Sequence, residues 1–240
     1  LHVQPGTADN FNFTPWNQMN VIADAPVEIG CVNPRTVTVT YEGKQRTYLL
    51  YLPDSYASSM KADGIIIACH GFGGEAANAL ARFQSTANNS QVNMIVIAPI
   101  ALPEQEQNLI DKANSVNNFA GSNRVDISAC WGQCLHVKAN MIVTSIDNEF
   151  NTNINDAAFI RYLINKTATR YNANLNNVFF GGVSMGGYMA YEFARRYGNE
   201  LAGIINYVGS MKYTADTVNV ATNIKTPILD FHSLTDGTVF

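Results

Sequence analysis

The sequence predicts an α/β domain in three layers: a mostly parallel central sheet covered by helices on both faces and preceded by an antiparallel hairpin. Two observations carry this prediction. Short runs at 65–69, 94–98, 178–180, 203–208 and 228–232 are continuously apolar rather than alternating, as strands buried on both faces must be. Between them lie stretches whose apolar residues recur at spacings of three and four, the period of a helix packed by one stripe. A chain of 240 residues holds one such domain and leaves little room for a second.

Taken in order, residues 1–34 carry Pro5, Pro15, Pro26 and Pro34 among many Asn and are expected to be an irregular leader or linker, with the domain proper at 35–240. Residues 36–41 alternate β-branched and polar side chains, Glu42-Gly43 can turn, and 44–52 resumes a strand pattern that Pro53 ends. Helices are expected at 76–87, 156–171 and 185–197. The second is the clearest, because Phe159, Ile160, Leu163, Ile164, Ala168 and Tyr171 form one stripe and Asn155 or Asp156 supplies a cap. The region from Pro99 to Asn153 is Asn- and Ser-rich, with 141–145 its one apolar patch. Loops of that length in a compact domain are usually functional or disordered, and in an open α/β sheet they leave the carboxyl ends of strands, where substrates bind.

Composition narrows the function classes. A net charge of −4 leaves no basic field to neutralise a phosphate backbone, so nucleic acid is not an expected partner. The longest dense apolar stretches, 64–69 and 94–100, are strand-sized and too short for a membrane span. Charged residues are only 14%, against about 25% in an average chain, so amides and hydroxyls must supply the polar surface. Of the four cysteines, Cys69 lies inside an apolar strand and reads as a buried thiol, whereas Cys130 and Cys134 flank Trp131-Gly132-Gln133 and can bridge locally. Their spacing has no second ligand pair, so no metal is expected.

The strongest local signal is Gly182-Val183-Ser184-Met185-Gly186-Gly187, between a strand and a helix. A sharp strand-to-helix turn needs glycines beside the serine because backbone crowds there, and it lifts the hydroxyl above the sheet as a nucleophile. A serine hydroxyl needs a base, an orienting carboxylate and an oxyanion hole. His70-Gly71-Phe72-Gly73-Gly74 follows the strand at 65–69, where a Gly-rich backbone aims the N–H of Phe72 while that of Met185 supplies the second donor. His70 is then a ring that bonds the loop. Asp236, after the strand at 228–232, suits the orienting acid; the competing reading is a turn former before Gly237. The histidines are His2, His70, His136 and His232, all before Asp236, whereas the order in this kind of site is Ser, acid, His. His136, in the long loop, is the one alternative.

The combination of Arg46-Thr47-Tyr48-Leu49-Leu50-Tyr51-Leu52-Pro53, the His70–Gly74 run, Cys130-Trp131, the Ser184 turn and the segment from His232 to Asp236 resembles α/β-hydrolases of the polyhydroxybutyrate depolymerase-like and feruloyl or acetyl xylan esterase group. The resemblance covers residues 30–240. It implies a secreted serine carboxylesterase, without cofactor, acting on feruloyl or acetyl esters of plant polysaccharide or on short polyhydroxyalkanoate esters. Carried over, Ser184 matches the nucleophile, Asp236 the acid, Phe72 and Met185 the oxyanion positions, and Trp131 the loop tryptophan, which either lines the acyl pocket or pins the loop. Cys31 resembles a cysteine near the start of those catalytic domains. Two other readings stay open: a serine peptidase using the same turn, and a catalytically silent relative that binds polysaccharide through Trp16, Trp131 and tyrosines.

The family's histidine lies tens of residues past the acid, so the chain is expected to stop before its base, with the last strand and helix of the fold missing and 228–232 left as an exposed sheet edge prone to self-association. By analogy with serine hydrolases stripped of that residue, residues 1–240 alone should lose about 10⁶-fold in kcat. Hydrolysis of p-nitrophenyl acetate by this piece checks it. Robust turnover abolished by His136→Ala would move the base into the long loop.

Overall fold

A computed structural model describes residues 2–3, 22–23, 33–71, 74–89, 91–101, 136–138, 141–143, 155–210 and 225–236. Its strands are β1 (His2–Val3), β2 (Ile22–Ala23), β3 (Arg35–Tyr41), β4 (Lys44–Tyr51), β5 (Gly64–Cys69), β6 (Met94–Pro99), β7 (His136–Lys138), β8 (Met141–Val143), β9 (Val178–Val183), β10 (Gly203–Tyr207) and β11 (Ile228–Phe231). The helices are α1 (Tyr56–Ser59), α2 (Ala76–Ala87), α3 (Asp156–Tyr171) and α4 (Met185–Tyr197), with a 3₁₀ turn at Gly198–Glu200.

Seven strands form one sheet in the order β11-β10-β9-β5-β6-β4-β3. The five from β11 to β6 run parallel, and the β3–β4 hairpin adds antiparallel to β6. Alternation along β5 divides the core. Ile65, Ile67 and Cys69 join α3 and α4 on one face, while Ile66 and Ala68 join α2 on the other. This is the three-layer, mostly parallel arrangement that continuous apolar strands demand.

The chain steps from β5 outward to β6, then returns to the opposite side of β5 to lay down β9, β10 and β11. Strand order therefore reverses between β5 and β9, and in open α/β sheets the crevice at such a switch point, beyond the carboxyl ends of the strands, is where ligands bind. The register brings those ends level: Cys69 of β5 lies opposite Gly182 of β9, and Val183 opposite Tyr207 of β10.

Three short elements lie beyond what the sequence predicts. The stretch 1–34 contains a two-residue parallel ladder, His2 opposite Ile22 and Val3 opposite Ala23. The long loop contains the β7–β8 hairpin, with His136 opposite Val143. Helix α1, too short to show an apolar period, was not foreseen. At the far edge of the sheet, Ile228, Leu229 and Phe231 of β11 are 44%, 55% and 46% exposed.

A polar cluster ties the hairpin to the helical layer. Asn155 caps α3 by accepting the Ala158 N–H at 3.1 Å, which releases Asp156 to turn inward. Asp156, fully buried, meets Arg46 Nη2 of β4 at 2.5 Å. The guanidinium lies 3.9 Å over the Phe159 ring, and its buried Nε has no hydrogen-bond partner among the described residues. His70, also buried, bonds Gly71 O through Nδ1 at 2.8 Å and accepts the Ala101 N–H at Nε2 at 3.2 Å. Those roles require a neutral ring protonated on Nδ1.

Asp156→Ala strands the Arg46 charge in the core and should cost about 3–5 kcal/mol in denaturant unfolding, with most of it recovered by combining Arg46→Met and Asp156→Leu. Burial is the main cause that lowers the His70 pKa from its ordinary 6.5, against the raising influence of Gly71 and Asp156. As pH falls below that value the unfolded chain binds the proton first, so stability should decline until the depressed folded pKa is reached. His70→Gln should flatten that part of the profile, measured as unfolding midpoints between pH 7.5 and 4.5.

Candidate active site

Ser184 sits between the last residue of β9 and the first of α4, at φ 51° and ψ −117°. A non-glycine residue at positive φ is uncommon, and here the surrounding backbone holds it. The Ser184 N–H donates to Tyr207 O at 2.8 Å, and its carbonyl accepts from Gly187 N at 2.8 Å and Tyr188 N at 3.2 Å, opening the helix. Serine at a helix start ordinarily caps with its hydroxyl. Ser184 makes no such capping bond, because its backbone leaves the extended region that capping requires.

Crowding explains the flanking residues. A β-carbon on Gly182 would lie 2.1 Å from Gly186 O, and one on Gly186 would lie 2.3 Å from Cys69 O. Real side chains do not approach so closely, so the turn and the end of β5 fit together only with glycine at both positions.

The segment after β5 lies against the serine. A β-carbon on Gly71 would stand 3.3 Å from Ser184 Cβ and 3.9 Å from its Oγ. The Gly71 carbonyl accepts from Gly74 N at 3.0 Å and from His70 Nδ1, so His70, Gly71 and Gly74 are held to one another beside the serine. The structure thus brings the His70–Gly71 step and Ser184 together at the switch point. Met185, buried, begins α4, where backbone N–H groups lack helical acceptors and the dipole favours negative charge.

Asp236 lies at the same end of the sheet, five residues past β11, with its amide donating to Ser233 O at 3.2 Å. Its Oδ2 is 3.7 Å from His232 Nε2, beyond hydrogen-bond length. Phe72, Trp131, Cys31, Cys130 and Cys134 lie outside the described residues. Cys69 is a buried thiol on β5. Among the described residues no group of three His, Cys, Asp or Glu side chains converges to hold a metal, and no helix is long and apolar enough to cross a membrane.

Sequence reading missed Asn206. Its fully buried carboxamide bonds Gly209 and Asp230 beside the serine turn. In a chain so rich in Asn, no local pattern singles it out.

With this geometry in view, the chain can be placed among known proteins. No curated protein matches it. Among solved structures it is similar to a thermostable esterase, 18% identical with a TM-score of 0.56, covering 85% of this chain and 47% of that one. It is also similar to a dienelactone hydrolase-like promiscuous phosphotriesterase from metagenomic libraries, 14% identical with a TM-score of 0.55, covering 86% of this chain and 70% of that one. An acetyl xylan esterase from Aspergillus awamori is 18% identical with a TM-score of 0.45, covering 74% of this chain and 53% of that one. The chain thus spans about half the length of the thermostable esterase and of the acetyl xylan esterase. Likeness at these identities is a likeness of fold. The family model described as phospholipase/carboxylesterase matches residues 56–239, most of the sheet and the whole serine turn. The chain belongs to this phospholipase/carboxylesterase family of α/β-hydrolases.

Proposed function

We propose that the protein is a serine carboxylesterase working through an acyl-enzyme. The observation that carries this reading is Ser184 at positive φ between β9 and α4, with its hydroxyl uncommitted to capping and Gly71 packed against it at the switch point of the sheet.

In this mechanism Ser184 Oγ attacks the ester carbonyl while a histidine removes its proton. The N–H groups of Met185 and Phe72 hold the oxyanion that develops on the carbonyl oxygen. Collapse expels the alcohol, which takes the proton from the histidine, and water then clears the acyl group through the same base. Asp236 orients that histidine. His70 is unsuited to be the base, because its ring nitrogens bond Gly71 and Ala101 and its role is to hold the loop. The substrates in this reading are feruloyl or acetyl esters of plant polysaccharide, or short polyhydroxyalkanoate esters, met outside the cell. Trp131 lines the acyl side of the pocket. What supports this choice over other esters is the resemblance of the serine turn, the His70–Gly74 run and Cys130-Trp131 to that group of enzymes.

A fluorophosphonate should label Ser184 covalently in the full-length protein, and Ser184→Ala should abolish both labelling and ester hydrolysis, with a loss on the order of 10⁶ in kcat. Absence of labelling would favour a binding protein that kept the turn for packing. Asp236→Asn should lower kcat by about 10⁴-fold, the loss seen when a triad carboxylate can no longer hold the histidine tautomer. Comparing kcat/KM for methyl ferulate, acetylated xylan and a 3-hydroxybutyrate dimer orders the substrate classes; equal, weak rates on all three would overturn the assignment to them.

A further inference from the structure

The end of β10 carries a strained backbone position that the acyl-transfer mechanism does not use. Val208 lies at φ 50°. For a β-branched residue this is a genuine outlier, and such strain persists only where the surroundings over-determine it.

The restraint is the Asn206 side chain. Its Nδ2 donates to Gly209 O at 2.8 Å, and its Oδ1 accepts from Gly209 N at 3.1 Å. These two bonds close a ring over Tyr207 and Val208 and bend the chain sharply after the strand. The second Nδ2 proton goes across to Asp230 Oδ1 on β11, at 2.8 Å. Both donors and the carbonyl are thereby used, so neither Asp nor Leu, the residues nearest in shape, can reproduce the set.

The clasp touches the serine turn and the strand that leads to Asp236. Against α4, a β-carbon on Gly187 would lie 2.0 Å from Asn206 Oδ1 and 2.8 Å from Gly209 Cα, so the serine turn rests directly on the amide. Within the ring, Tyr207 O takes the Ser184 N–H at 2.8 Å and Val208 N donates to Phe231 O at 2.9 Å. Asp230 stands two residues before His232, where the chain leaves β11 toward Asp236.

We propose that Asn206 is a positioning residue for acyl transfer: its buried carboxamide sets the spacing between the turn that presents Ser184 and the strand that delivers Asp236. This rests on the esterase reading of those two residues. A merely structural amide lowers stability and leaves the turnover of folded molecules intact. A positioning amide lowers kcat more than it raises KM, because displacement of reacting groups by about 1 Å costs on the order of 10²-fold.

The test uses the full-length protein, with p-nitrophenyl acetate kinetics, the rate of Ser184 labelling by a fluorophosphonate, and thermal melting measured on each variant. Asn206→Ala and Asp230→Leu should each lower kcat and the labelling rate by ten-fold or more with KM within about two-fold. Asp230→Leu breaks one bond at a partly exposed position and so remains informative if Asn206→Ala does not fold. Asp230→Asn keeps the acceptor and should restore most of the rate. Ile95→Val, a core change away from the site, provides a matched loss of melting temperature without loss of kcat. If Ser184 is not labelled in the unsubstituted protein, the esterase reading falls and this inference with it. If Ser184 is labelled there and equally fast in Asn206→Ala and Asp230→Leu, or if Ile95→Val slows turnover as much for the same loss of melting temperature, the inference alone is overturned.

Discussion

Backbone has to pass through very little space where β9 gives way to α4. The helix begins within van der Waals reach of the carboxyl end of β5, since any β-carbon on Gly186 would run into Cys69 O. Ser184 resolves the reversal by taking positive φ, and that conformation costs on the order of 1–3 kcal/mol, which the bonds around it must outweigh. Those bonds come from two neighbouring strands: Tyr207 O holds the Ser184 amide, while Gly71 after β5 packs on its side chain. The uncapped hydroxyl is a product of this crowding, because a residue so constrained cannot fold its side chain back onto the helix terminus.

The same region shows why polar groups are buried so near the sheet. His70 sits at the end of β5 with both ring nitrogens bonded to backbone, and Asp156 with Arg46 closes the gap between the hairpin and α3. A buried ion pair contributes little to net stability compared with an apolar pair of the same volume. Its contribution is geometric. Arg46 belongs to β4 and Asp156 opens α3, so the pair fixes where α3 starts against the hairpin. His70 fixes Ala101, two residues past β6.

Much of this was legible from local pattern. The helices Ala76–Ala87, Asp156–Tyr171 and Met185–Tyr197 have the bounds that apolar spacing and capping residues predict, because helical hydrogen bonds are made within the segment. Strand bounds were less complete. β9 runs to Val183 rather than stopping at Phe180, since Gly181 and Gly182 have no strand propensity and join because Ala68 and Cys69 of β5 and Ile205 and Asn206 of β10 lie beside them. The β7–β8 hairpin and the β1–β2 ladder escaped for the same reason: a pairing of two or three residues leaves too short a pattern to read.

Sequence by itself determined the class of fold, the succession of strands and helices, and the glycine-flanked serine, since each is written in side-chain period or in the φ and volume that glycine alone allows. Tertiary structure decided the strand order, and with it the switch point that places the end of β5 against Ser184. It also chose, among many asparagines, the one whose amide joins β10, β11 and the serine turn. Strand pairing and buried hydrogen bonds depend on partners distant in the chain, and a single sequence carries no mark of which distant residues will meet.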